Sequence, residues 1–172
     1  MTALEQQRFN AVVHVVHEYA NLVSSADMVL SGYGIDSMPF KPPINTHVSH
    51  AFYLNCRKLA DFFQTKFDTH NSDIIAGHYA PGFYAVLPVS AKWREPINKQ
   101  LAHMTYARDV GAREIDRSAC IALYKELKDT WREFRKALVG GLSEEEFKNQ
   151  IKRPKYSYPN GQLSEFRFYD LD

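Results

Sequence analysis

The sequence predicts an all-α fold, an antiparallel helical bundle of four main helices plus a short fifth helix and an extended C-terminal arm. Three observations carry this reading. Apolar residues recur at spacings of three and four along the first thirty residues. A second stripe of the same period, the clearest in the chain, runs from Ile115 to Leu138. Between the helical stretches, glycine and proline gather in short breaks such as Ser31 to Pro43. The boundaries follow: residues 1–151 form the bundle domain, and residues 152–172 form an arm that packs on the bundle or on a partner.

The first helix spans about Thr2 to Leu30. Phe9, Val12, Val13, Val16, Tyr19, Ala20 and Val23 make its apolar stripe, and no glycine or proline interrupts it before Gly32. For the second helix, Asn45 or Thr46 is the expected N-cap, since a short polar side chain accepts from the first exposed amides. It runs to about Lys66, with Val48, Phe52, Cys56, Leu59 and Phe63 toward the core. His50, Leu54, Arg57 and Asp61 take the far side. A mixed segment follows, with a short helical turn at Ser72 to Ala76, a break at Pro81-Gly82, and an apolar, buried connector from Phe83 to Pro88.

Pro96 suits the first position of a third helix, because its missing amide proton would be unsatisfied there anyway. That helix, Pro96 to Arg108, turns Ile97, Leu101, Met104 and the stem of Arg108 to one face. Lys99, His103, Tyr106 and Ala107 fall opposite. The fourth helix spans about Glu114 to Val139 and stops at Gly140-Gly141. Ser143-Glu-Glu-Glu146 is a capping box that opens the short fifth helix. In the arm, Pro159-Asn-Gly161 marks a turn, and Leu163 to Tyr169 reads as a short strand or an extended segment.

Composition narrows the function classes. The chain has 172 residues, 45% of them hydrophobic and 24% charged, which is a globular rather than a disordered composition. A net charge of +1 argues against nucleic-acid binding by the whole surface and leaves room for a local basic patch. The two cysteines, Cys56 and Cys120, form no CxxC pair, so neither a disulfide framework nor a cysteine zinc site is expected. Without a signal-peptide pattern or an apolar run of roughly 20 residues, the expectation is a cytoplasmic protein with no membrane partner.

Three groups of residues are candidates for chemistry. The first is His103, with Lys99 one turn before it and Tyr106 nearly one turn after. Histidine moves protons near neutral pH, and a cation stabilises phosphate charge. The plainer alternative is a packing or interface histidine bonded to main chain. The second is a pair of HxxH spacings, His14/His17 and His47/His50, with Asp73 and His78 nearby. Histidines at i, i+3 on facing helices are able to hold a divalent ion, although a polar helix face explains His50 beside Arg57 and Asp61. No cofactor is expected. The third is basic: Arg117, Lys128, Arg132, Arg135 and Lys136, joined by Lys152, Arg153 and Lys155 and the aromatics Tyr156, Tyr158, Phe166 and Phe168. Such a surface tracks a nucleic-acid backbone and stacks bases. Glu126, Asp129 and Glu133, interspersed among these cations, fit an ordinary solvated face instead.

Asn98-Lys99-Gln100-Leu101-Ala102-His103 resembles the Arg-Asn-x-x-Ala-His motif of the HEPN class of helical domains. Arg57-Lys-Leu-Ala-Asp-Phe-Phe63 is similar to an Arg-x-Leu-x-x-Phe-Phe stretch of HEPN-like bundles. The likeness covers His47 to Arg108. It implies a homodimer whose motif helices face one another, RNA or a nucleotide as the ligand, and metal-independent RNA cleavage. His103 would then transfer the proton, Lys99 and Arg57 would clamp the phosphate, and Asn98 would orient. The chain departs from the pattern in one respect. The motif arginine falls at Ile97 or Asn98, neither of them a cation; either Lys99, Arg57 or Arg108 supplies the charge, or the fold is kept without the nuclease activity. The alternative from another class is a non-enzymatic dimeric interaction module that uses the aromatic arm.

Overall fold

The computed structural model describes residues 2–30, 43–66, 73–102 and 116–138, together with Glu145, Phe147 and Asn149; for 43–47, Gln100 and Ala102 it describes the backbone alone. Four α-helices are present among these residues, with no strand, so the all-α expectation holds. They are α1 (Ala3–Leu30), α2 (Pro43–Gln64), α3 (Pro88–Ala102) and α4 (Arg117–Ala137). No helix among the described residues is long and apolar enough to cross a membrane.

α1 is about 42 Å long at the helical rise. A reciprocal capping box starts it: the Thr2 amide donates to Glu5 Oε2 at 2.6 Å, and the Glu5 amide donates to Thr2 Oγ1 at 3.2 Å. Its buried positions are Val12, Val15, Val16, Tyr19, Ala20, Leu22, Ser25, Ala26 and Val29, four of which (Val12, Val16, Tyr19 and Ala20) belong to the expected stripe. This face is rotated from the expected stripe. Val13 is 38% exposed, while Val15 and Leu22, absent from that stripe, are buried.

α2 begins at Pro43, so Asn45 and Thr46 lie inside the helix rather than capping it. Proline fits the first helical position, as argued for Pro96, and here Pro43 takes it. Phe52, Cys56, Leu59 and Phe63 are buried as expected, with Val48 packed against the core and Leu54 exposed on the far side. α2 contacts α1, α3 and α4, and α4 also meets α1 and α3.

The third helix differs most. It starts at Pro88, eight residues before the expected start, and Pro96 sits within it. An internal proline loses one backbone hydrogen bond and crowds the carbonyl four residues back. Burial of Trp93 and Ile97 on either side of Pro96 offsets that cost. The N-terminus of α3 is also closed from outside. Glu126 of α4 accepts from the Val89 amide at 2.8 Å, the Ser90 amide at 2.7 Å and the Ser90 hydroxyl at 2.6 Å. α3 has no acidic residue in its own first turn, so a carboxylate from another helix meets the positive end of its dipole.

The segment before α3 is a 3-10 turn at Ala76–His78 in place of the short helical turn expected at Ser72 to Ala76. Ala80-Pro81-Gly82-Phe83 then has the pattern of a type II turn. The Phe83 amide reaches the Ala80 carbonyl at 2.8 Å, and Gly82 has φ of 83°. The connector beyond it is not buried throughout. Phe83, Ala85 and Leu87 face inward, whereas Tyr84 is exposed and Val86 is 78% exposed. That alternation is what an extended chain imposes, and the Ala85 amide ties it to the Phe63 carbonyl at 3.1 Å.

α4 carries the expected stripe, with Ala119, Leu123, Leu127, Trp131 and Phe134 all buried. Asp116 caps it through the Ala119 amide at 2.8 Å. An aromatic cluster fills the centre of the core. Tyr19 and Trp131 stack with ring centroids 4.1 Å apart and planes 7° apart. Phe134 meets Phe62, Phe63 and Phe83 edge-on. Phe147 closes the cluster against Tyr79, Trp131 and Phe134. The stop at Gly140-Gly141, most of the fifth helix and the whole arm lie outside the described residues.

Candidate functional site

His103 is the first residue beyond the described part of α3, and Met104, Tyr106 and Arg108 lie outside it too. The other three candidates are described. Lys99 is half-exposed, and its ammonium pairs with Glu95 Oε1 at 2.7 Å, one turn back on the same helix. The hydrogen bond from Lys99, and then its charge, hold the Glu95 carboxyl below the usual carboxylate range. Asn98 has its Oδ1 buried with no hydrogen-bond partner. Arg57 sits on the outer face of α2, its Nε 3.8 Å from Asp61 Oδ2.

The structure brings Arg57 together with a residue the sequence did not single out. Arg94 reaches across from α3 and sets Nη2 2.7 Å from Asp61 Oδ1. One carboxylate thus lies between two guanidinium groups from different helices. Arg57, Asp61 and Arg94 border a shallow groove between α2 and α3. Gln64 and Ser90 add polar edges; Cys56, Ala60, Ile97 and Leu123 form its apolar wall. The side chains of Arg57, Asp61 and Arg94 are 41%, 38% and 54% exposed, so a ligand in solution has access to all three. Lys99 is not among the residues lining this groove.

Arg94 was hidden by the misplaced start of α3. With Pro96 as the first helical residue, Arg94 falls in a loop. With Pro88 first, it stands one turn before Asn98 on the same side of the helix. The Cys56 thiol at the back of the groove is no nucleophile. Burial, followed by the nearby Cys120 and Glu126, pushes its pKa well up. Burial also raises that of Cys120, against a lowering hydrogen bond with Tyr53.

The remaining candidates are placed as follows. His14 is exposed, and the side chain of His47 lies outside the described residues. Among the described residues, no three His, Cys, Asp or Glu side chains are grouped so as to hold a metal ion. On α4, Arg132 pairs with Asp129 at 3.4 Å and Lys136 with Glu133 at 2.7 Å, which is the charge-balanced face of the plainer reading. Arg117 is turned toward α1, where it donates to the Leu30 carbonyl. The tail residues Lys152, Arg153, Lys155, Tyr156, Tyr158, Phe166 and Phe168 lie outside the described residues.

Two guanidinium groups flank the Asp61 carboxylate on an exposed surface. Arginine offers planar, paired donors that match phosphate oxygens, and its charge is permanent. No family model, curated protein or solved structure matches this chain.

Proposed function

We propose that this chain is a HEPN-like helical protein that binds the phosphate of RNA or a nucleotide in the groove between α2 and α3. The observation that supports it is the convergence of Arg57 and Arg94 on Asp61 at the groove mouth. Arg94 supplies a cation one turn before Asn98, close in sequence to where the resemblance calls for the motif arginine. In this reading His103 takes the proton from a ribose 2′-hydroxyl. The 2′-oxygen bonds to phosphorus, the P–O5′ bond breaks, and the leaving oxygen picks up a proton. The products are a 2′,3′-cyclic phosphate and a 5′-hydroxyl. Lys99, one turn before His103, stabilises the charge that builds on the phosphorane, a part that needs no metal, while the two guanidinium groups anchor another phosphate of the same ligand. A homodimer with facing motif helices belongs to the same proposal.

Two measurements test it. Fluorescence anisotropy with a labelled oligoribonucleotide should show binding that Arg57→Ala and Arg94→Ala each weaken; equal binding by both variants refutes the groove. Cleavage that persists in EDTA should vanish in His103→Ala. Cleavage unchanged in that variant, or none by the wild type, refutes the nuclease step and leaves phosphate binding standing.

A non-enzymatic dimeric module is the second reading, supported by the outward-facing Tyr84 and Val86. It expects removal of the residues after Ile151 to weaken self-association in sedimentation. Equal association by the shortened chain counts against it.

A further inference from the structure

We infer that Asp61 is a resident competitor for the two guanidinium groups of the α2–α3 groove, so that the groove selects a terminal phosphate monoester over an internal phosphodiester. This rests on the reading of the groove as a phosphate site. Asp61 already occupies the position an incoming anion needs. Its Oδ1 takes Arg94 Nη2 at 2.7 Å, and its Oδ2 lies 3.8 Å from Arg57 Nε. The second contact is longer than a hydrogen bond, so Arg57 is drawn in by charge without being saturated.

The sum of charges sets the selectivity. Two guanidinium groups and one carboxylate leave the groove a single positive charge. Glu126 lies on the other side of Ser90, where the positive end of the α3 dipole faces its carboxylate and offsets part of that charge. A phosphodiester carries one negative charge and two non-bridging oxygens. Exchanging it for Asp61 replaces one monoanion by another, with little gain. A terminal phosphate carries about −1.5 to −2 at pH 7 and offers three acceptor oxygens. It outbids the carboxylate in charge and reaches both arginines at once. The exchange needs no repacking, since all three side chains are partly exposed and an exposed ion pair contributes little to folding.

The test uses a 2′-O-methylated oligoribonucleotide, which resists cleavage, with and without a 5′-phosphate, followed by anisotropy on the full chain. Wild type should bind the phosphorylated form roughly tenfold more tightly, equivalent to about 1.4 kcal/mol. Asp61→Asn and Asp61→Ala should both tighten binding of the 5′-hydroxyl form and shrink that ratio. Arg57→Ala and Arg94→Ala should remove the preference. Competition by a nucleoside 5′-monophosphate separates two sources of the same group: displacement at equal concentration assigns the free nucleotide, and resistance assigns the RNA end. Equal binding of both oligonucleotides by wild type overturns the role of Asp61 and leaves the phosphate groove intact. Binding of neither overturns both. Asp61 variants that lose affinity as well as melting temperature make the residue a structural tie and overturn the inference. A preference that survives in both arginine variants does the same.

Discussion

Replacing Glu126 by alanine tests how α3 is held. Glu126 reaches α3 from a position 36 to 37 residues later in sequence and accepts three hydrogen bonds there, two of them from backbone amides. Loss of a side-chain cap usually costs about 1 kcal/mol, and loss of a charge facing a helix N-terminus costs a further ~0.3–1 kcal/mol. Ser90 is 6% exposed, so water does not readily replace the carboxylate at its amide and hydroxyl. A buried donor left unsatisfied costs about 1–3 kcal/mol. Taken together, Glu126→Ala should lose about 3 kcal/mol, a fall in Tm of roughly 6–12 °C for a domain of this size. Glu126→Gln keeps one acceptor and the side-chain volume, so it should lose about half as much. Glu133→Gln, on the exposed side of α4 beside Lys136, is the control and should stay within about 0.5 kcal/mol of wild type. Urea unfolding gives the free energies, and an unchanged denaturant slope shows that the native state is retained. Hydrogen exchange of the Val89 and Ser90 amides localises the loss. Glu126→Ala within 0.5 kcal/mol of wild type, on the order of a neutral surface change, would refute the argument.

Three further outcomes are expected. Gly82→Ala should cost about 1–2 kcal/mol in urea unfolding, because φ of 83° disfavours any side chain although an added Cβ meets nothing within 4 Å; a neutral effect would show that the turn relaxes. Burial pushes Tyr79 up to about 12 and Tyr19 further still. Above the ordinary tyrosine value of about 10, the unfolded chain sheds protons that the native one keeps, so this stability is whole below pH 10 and is lost as pH rises toward and past 12. Phenolate absorbance should show Tyr19 and Tyr79 ionising late, with unfolding, and ionisation of every tyrosine together near pH 10 would contradict it. Cys56 and Cys120 should resist a thiol reagent at pH 8 until urea unfolds the chain, and rapid labelling of the native protein would contradict the burial of both thiols.

What was legible in the sequence depended on how far away the deciding partner lies. The apolar stripe of α4 was readable because a helix repeats its own pattern every few residues, and Leu123, Leu127, Trp131 and Phe134 came out buried. The start of α3 was not. Pro88 and Pro96 both suit the first helical position by local rules, and what distinguishes them is Glu126, remote in sequence. That one misplacement also hid Arg94, and with it the second cation of the groove. The place of Arg57 on the outer face of α2 follows from periodicity alone, and the family resemblance is what marks it as a candidate. The rotation of α1 was lost for a related reason: Val13 and Val15 are equally apolar, and only the neighbouring helices decide which is covered.

α4 completes more than its own packing. Leu30 ends α1 without a basic residue in its last turn, and α3 opens without an acidic one. Arg117 answers the first and Glu126 the second, both from the last of the four helices to be synthesised. A nascent chain that has released only its first hundred residues therefore holds α1 without its Arg117 contact and α3 without its Glu126 contact. Neither helix acquires its closing charge until α4 has left the ribosome. The order of translation thus delays the locking of the amino-terminal helices, and a message truncated before residue 117 yields a polypeptide that lacks both closures.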